Sequence, residues 1–143
     1  MTHGFDTSFL VAAEVSGHSD NIASRTRLIA LRQAGDDFAI APQVLAEFVH
    51  VVTDGKRFAQ PLSIVQAMAR AEMWWTAPEV TQVVPDAVTL TTFFSWMRTY
   101  QLGRKRILDT LLAATYGVAG IGSVLTTNAR DFAIFGQFQI IQP

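Results

Sequence analysis

Cysteine is missing from all 143 residues. That excludes a disulfide framework, a thiolate-ligated zinc and a thiol nucleophile, and it fits a reducing compartment. An excess of either charge is missing too: 11 Lys and Arg stand against 12 Asp and Glu, a net charge of -1. With a pI near 6.3, coating of nucleic acid through overall charge is excluded, so any such contact must be local. No apolar run reaches the roughly 18 residues that a membrane helix requires. The apolar stretch Phe9–Ala13 is bracketed by Asp6 and Glu14 and follows no basic segment, so it is not expected to act as a secretory signal. No Walker loop, Gly-x-Ser-x-Gly elbow, internal repeat or low-complexity linker occurs.

What is present is apolar. Half of the residues are hydrophobic and the mean hydropathy is +0.25. One domain spanning 1–143 can bury a core without covalent staples. The apolar surplus suggests a face covered by another subunit or partner, and the expected location is the cytoplasm.

Short strand signals alternate with helical ones. Thr2–Phe5 reads as a strand, and Asp6-Thr7-Ser8 then starts a helix with Phe9, Leu10 and Ala13 on one face. A second helix ends near Ala34 and is capped by Gly35. Phe38–Ala41 is a strand, and Pro42 opens a helix whose stripe is Val44, Leu45, Phe48, Val49 and Val52. A helix from Leu62 to Trp75, a strand Gln82–Val84 and a helix from Pro85-Asp86 to Tyr100 follow. The next helix begins at Ile107, Gly117 and Gly120-Ile121-Gly122 turn into a strand at Ser123–Thr126, and a helical turn and a last strand over Gln137–Ile141 close the chain. Alternation of this kind predicts an α/β fold with a short, mostly parallel central sheet covered on both faces.

Ligands of such sheets bind beyond the carboxyl ends of the strands. Asp6, Glu47 and the pair Asn128/Asp131 each follow a predicted strand, and Asp109 opens an apolar helix whose first turn belongs at the same edge. Asp109 has the helix dipole as an alternative reason for its place. Several carboxylates in one pocket repel unless a cation compensates them. Oxygen ligands without cysteine or paired histidines suit Mg²⁺ or Mn²⁺, which can activate water against a phosphodiester. Arg104, Lys105 and Arg106 form the densest basic cluster, just upstream of Asp109, and are the candidates for holding flanking phosphates. Glu47-x-x-His50 is one copy of a pattern that di-iron bundles need twice. Trp74, Trp75, Phe93, Phe94 and Trp96 lie at helical spacing and are assigned to core or interface packing.

Four stretches in order, Asp6-Thr7-Ser8-Phe9-Leu10, Pro42 to Phe48, Asp109-Thr110-Leu111-Leu112-Ala113-Ala114 and Leu125 to Phe132, give the chain a resemblance to PIN-domain ribonucleases, specifically the VapC toxins of bacterial toxin–antitoxin pairs. The resemblance spans nearly the whole chain. It implies a three-layer α/β/α PIN-like fold and an Mg²⁺- or Mn²⁺-dependent endoribonuclease. By it, Asp6, Glu47 and Asp109 are the metal-binding acids, with Ser8 and Thr126 supporting them. Asn128 stands where the family often has a fourth acid, and Asp131 is the residue expected to compensate. The implied partners are a cognate VapB-type antitoxin, a structured tRNA or ribosomal RNA loop as substrate, and a second copy in a homodimer, with no membrane. The competing readings are a non-catalytic RNA- or partner-binding module and a nuclease acting on single-stranded or flap DNA.

Overall fold

The computed structural model describes all of residues 1–143. Strand β1 (Thr2–Phe5) leads into helices α1 (Thr7–Glu14) and α2 (Asn21–Gln33). Strand β2 (Asp37–Ile40) leads into α3 (Pro42–Val52) and α4 (Ile64–Trp75). Strand β3 (Val80–Gln82) is followed by α5 (Ala87–Thr99), a 3-10 turn at Arg104–Arg106 and α6 (Ile107–Val118). Strand β4 (Ser123–Leu125), α7 (Ala129–Ala133) and β5 (Gln139–Ile141) complete the chain.

Every strand pairing is parallel, in the order β3-β2-β1-β4-β5. The central strands β1, β2 and β4 are short apolar runs buried at nearly every position, as a parallel sheet with both faces covered requires. Helix α1 packs on α2 and α3, and α3 on α4; α5 packs on α6, and α6 on α7. The result is the expected three-layer α/β/α arrangement. A single apolar cluster joins Phe5, Phe9, Phe38, Val44, Phe48, Tyr116 and Phe132 across the sheet. No helix is long and apolar enough to cross a membrane.

The strand order reverses between β1 and β4, because β1 leads outward to β2 on one side while β4 and β5 lie on the other. Neighbouring connections diverge at such a point and leave a crevice at the carboxyl edge. Asp6 follows β1 and Thr126 follows β4, and the Asp6 amide still donates to the Leu125 carbonyl at 2.9 Å. On the other side of β1, Tyr116 enters between the strand ends. Its hydroxyl donates to the Phe5 carbonyl at 2.6 Å and lies 3.3 Å from that of Ala39. A Cβ on Gly4 would stand 2.7 Å from the Tyr116 ring, so this close approach needs glycine.

Several element ends lie one or two residues from the expected ones, and two differences bear on the packing. The third strand is Val80–Gln82 rather than Gln82–Val84, because Phe38 pairs with Val80. The ladder runs on only through the Val83 amide, which donates to Ile40 at 3.0 Å, and Pro85 then lacks a donor. Gly117 is helical and not part of the turn. A Cβ there would meet Gln137 Nε2 at 2.6 Å and the Trp96 ring at 3.1 Å, so it lets α5 and the last loop press against α6.

Candidate active site

Asp6 is the N-cap residue of α1, yet its side chain makes no capping bond. Its Oδ2 accepts instead from Ser8 Oγ at 2.5 Å and from Thr126 Oγ1 at 2.7 Å. Those hydroxyls are themselves fixed: Ser8 Oγ accepts the Thr127 amide at 3.1 Å, and Thr126 Oγ1 accepts the Asn128 amide at 2.9 Å. Both hydroxyls donate to Oδ2, and neither of their bonds falls on Oδ1. Asp6 is 7% exposed. Burial pushes its carboxyl above the ordinary range, the two hydroxyls oppose that shift, and the charge of Glu47 adds to it.

Glu47 rises from the second turn of α3. It is exposed, and Oε2 accepts from Thr7 Oγ1 at 3.0 Å. Thr7 is a positioning residue that the sequence reading treated only as a helix start; its place between Asp6 and Ser8 was the available signal. Asp109, in the first turn of α6, has a carboxyl pushed up to about 6. Burial is the main cause, and the charges of Asp131, Asp6 and Glu47 add to it while Arg106 opposes it. Three acids from separate segments thus feel one another across one crevice.

A cleft of about 250 Å³ is lined by Asp6, Ser8, Glu47, Asp109 and Asn128. A second hollow, lined by Gln43, Glu47, His50, Leu108 and Asp109 among others, opens from the α3 side of the same acids. Asn128 is thus at the cleft. Asp131 is not: it lies one turn on in α7, beside a separate hollow with Arg130 and Gln142.

The basic cluster divides. Arg104 and Lys105 are exposed. Arg106 turns inward: Nη2 donates to the Asp131 carbonyl at 2.5 Å, Nη1 lies 3.6 Å from Asp131 Oδ1, and Nε lies 3.7 Å from Asp109 Oδ2. It is an internal counter-ion that ties the start of α6 to α7. Asp131 pairs with Arg106, not with its neighbour Arg130. At such contact distances the pairing is electrostatic, and the Arg106 Nε proton is left without an acceptor.

The donor set is oxygen only, which suits a hard divalent cation. No three of the His, Asp and Glu side chains stand in ready-made coordination geometry. Glu47 is held toward Thr7 and Asp109 leans toward Arg106. Both are solvent-accessible, so rotamer changes are open to them. The residues fit such an ion in kind, with Asp6 as the pre-oriented member. His18, Arg57 and Phe58 also line the cleft. No motif in the sequence marks them, because His18 and Arg57 lie in turns between helices.

No protein-family model matches the chain, and no curated protein matches it by sequence. Solved structures do match by fold. VapC20 of Mycobacterium tuberculosis, a sarcin-ricin loop cleaving toxin, superposes with a TM-score of 0.75 at 17% identity, covering 100% of both chains. VapBC2 from Rickettsia felis, bound to a DNA fragment from its promoter, gives 0.69 at 16% identity over 100% of this chain and 99% of that one. VapBC-1 from nontypeable Haemophilus influenzae gives 0.67 at 16% identity, covering 99% and 98%. The chain has the fold of these PIN-type toxins over its whole length.

Proposed function

We propose that this protein is a metal-dependent endoribonuclease toxin of the VapC type, held in check by a VapB-type antitoxin. The observation that carries the reading is the meeting of Asp6, Glu47 and Asp109 at the point where the strand order reverses, in a fold shared with toxins of that type. Asp6, Glu47 and Asp109 would hold Mg²⁺ or Mn²⁺, which when bound supplies Lewis acidity and an activated water for phosphodiester hydrolysis. The chain's own residues supply the orientation. Ser8 and Thr126 fix Asp6, Thr7 fixes Glu47, and Arg106 restrains Asp109 and Asp131. In the hydrolysis one P–O bond forms to water, the bond to the leaving ribose oxygen breaks, and solvent balances the proton.

The substrate proposed is a structured RNA loop, as for the sarcin-ricin loop cleaving neighbour. The antitoxin is assigned to the apolar groove between α3 and α4, about 480 Å³ and lined by Leu45, Ala46, Val49, Met68, Ala71 and Trp75. Ala46 and Glu47 are adjacent, so an apolar segment seated there can extend a basic side chain over the acids. A homodimer is proposed from the exposed apolar side chains that remain, among them Val88, Phe94 and Leu108. The internal cation Arg106 favours one rival, a non-catalytic binding module, because a guanidinium already offsets part of the acidic charge. Incubating the purified protein with matched RNA and DNA oligonucleotides, with Mg²⁺, with Mn²⁺ and with chelator, decides between them. Metal-dependent turnover on RNA, lost in Asp109→Asn, is the expected result. Binding without turnover at any metal concentration supports the module, and cleavage of DNA alone supports the second rival.

A further inference from the structure

With Arg106 engaged by Asp109 and Asp131, a strand lying across the acids needs another cation. Of the eleven Lys and Arg side chains, Arg57 is the one that lines the acid cleft. It stands in the loop after α3, and His18 stands in the turn after α1; both face the cleft whose other residues include Asp6, Glu47 and Asp109. The buried side chains of Val11 and Val51 lie in the same lining, and Phe58 completes it.

This wall is built. Asp54 organises the loop, with Oδ1 accepting the Lys56 amide at 2.8 Å and its carbonyl accepting the Arg57 and Phe58 amides at 3.1 Å. The Leu62 amide then closes the loop on the Val52 carbonyl at 2.9 Å. The Arg57 side chain has only a 3.7 Å contact to Asp54 and is 62% exposed, so its guanidinium is available. The His18 turn is equally fixed: its amide donates to Val15 and its carbonyl accepts from Asn21, both at 3.0 Å. His18 Nδ1 accepts the Asp20 amide at 3.1 Å. A neutral ring so held carries its proton on Nε2 and presents a donor.

We propose that Arg57 and His18 form the substrate-positioning wall of this cleft, binding a single-stranded RNA segment through the phosphate next to the one at the acids. The proposal rests on the nuclease reading above and names the residues that select and seat its substrate. Arg57 supplies the charge for the non-reacting phosphate. His18 donates from Nε2 to a phosphate or ribose oxygen, and Phe58 gives the strand an apolar surface. Within this proposal the wall takes an unpaired strand, the form in which an RNA loop can splay its bases and turn its backbone toward one face.

The test uses the full-length protein in an Asp109→Asn background with chelator, and a fluorescently labelled RNA oligonucleotide presented single-stranded or as a duplex. Arg57→Ala should weaken single-strand binding about tenfold and reduce the salt slope by roughly 0.7, the share of one phosphate on a single strand. Arg57→Lys should keep the slope. His18→Ala should weaken binding about threefold and His18→Gln, which keeps a donor, should recover most of it. Arg98→Ala, at the end of α5 and outside the cleft, should change neither. With Asp109 restored, Arg57→Ala should raise KM while leaving kcat within about twofold. The melting temperature of Arg57→Ala should stay within about 2 °C of the parent, as for an exposed side chain. Unchanged single-strand affinity and salt slope in both alanine variants, with a parent that binds and cuts RNA, overturns the wall alone. A wild-type protein that neither binds nor cuts RNA overturns the nuclease reading and the wall together.

Discussion

The two ends of strand β1 use the same side chain in opposite ways. At the amino end, Asp36 meets the Met1 amine at 2.8 Å and lies 3.2 Å from His3 Nε2, a contact too bent for a good hydrogen bond. His3 Nδ1 is in turn 2.8 Å from Ser123 Oγ. The amine, and then His3, hold the Asp36 carboxyl below its ordinary range. At the carboxyl end, Asp6 and Asp109 are both pushed up, and Arg106 is the one cation in contact with the acids there. One edge has its charges paired within the fold. The other keeps negative charge in excess, an arrangement suited to binding something positive. Folding favours the first, and the second lowers stability to leave a place for a ligand.

That contrast is most directly broken at Asp109. Asp109→Asn should reduce RNA cleavage a hundredfold or more, on the order expected when a ligand of a catalytic ion is lost, and should raise the melting temperature of the metal-free protein. Cleavage at the normal rate by the purified variant would remove Asp109 from the site. The next effect in size is Arg106→Met. It deletes the only counter-ion in contact with Asp109 and Asp131 and should destabilise the metal-free fold by roughly 2 kcal/mol. Added Mg²⁺ should recover part of that loss, whereas the same ion should do nothing for Asp36→Asn. Thermal melts of both variants with and without the ion make the comparison.

The pH dependence sharpens it further. Asp109 titrates near 6 in the fold against an ordinary 3.8, so its charged form is disfavoured by folding. The penalty is complete above pH 6 and is relieved as pH falls from there toward 4. In chelator the melting temperature should therefore rise between pH 7.5 and 5. The gain is about 1 kcal/mol, discounted because the Asp109 side chain is a third exposed. Asp36 works in the other direction: its lowered value adds stability above pH 4, which disappears as pH falls through the folded value. Asp109→Asn should shrink the first limb to the share of Asp6, whose carboxyl is also pushed up, and Asp36→Asn should flatten the second. The smallest expected effect lies at the rim. Asp131→Asn should raise the Mg²⁺ concentration for half-maximal cleavage about threefold, and Asn128→Asp, which puts a carboxylate on a residue lining the cleft, should lower it by a similar factor. A metal requirement untouched by Asp131→Asn would reduce Asp131 to the anchor of Arg106.

Much of this architecture is local and could be read from the chain. Short continuous apolar runs such as Phe38–Ile40 and Val124–Leu125 announce buried parallel strands, and Pro42 and Asp86 announce helix starts, because composition and capping act over a few residues. Asp6, Glu47 and Asp109 were legible as a set because each follows or faces a strand end, and parallel sheets collect such ends at one edge. The edge strand β3 was misplaced by two residues, since its bounds depend on pairing with β2 and not on its own pattern.

What the chain alone determined is therefore the order of elements and the three acids. The tertiary structure decided their partners. It turned Arg106 away from solvent to Asp131, 25 residues on, set Thr7 against Glu47 across 40 residues, and brought His18 and Arg57 into one cleft from two turns. These pairings depend on long-range distance and direction, which carry no periodic signal in the sequence. They form only when the reversal of strand order between β1 and β4 brings the carboxyl ends of both strands, and the helices that leave them, around one crevice.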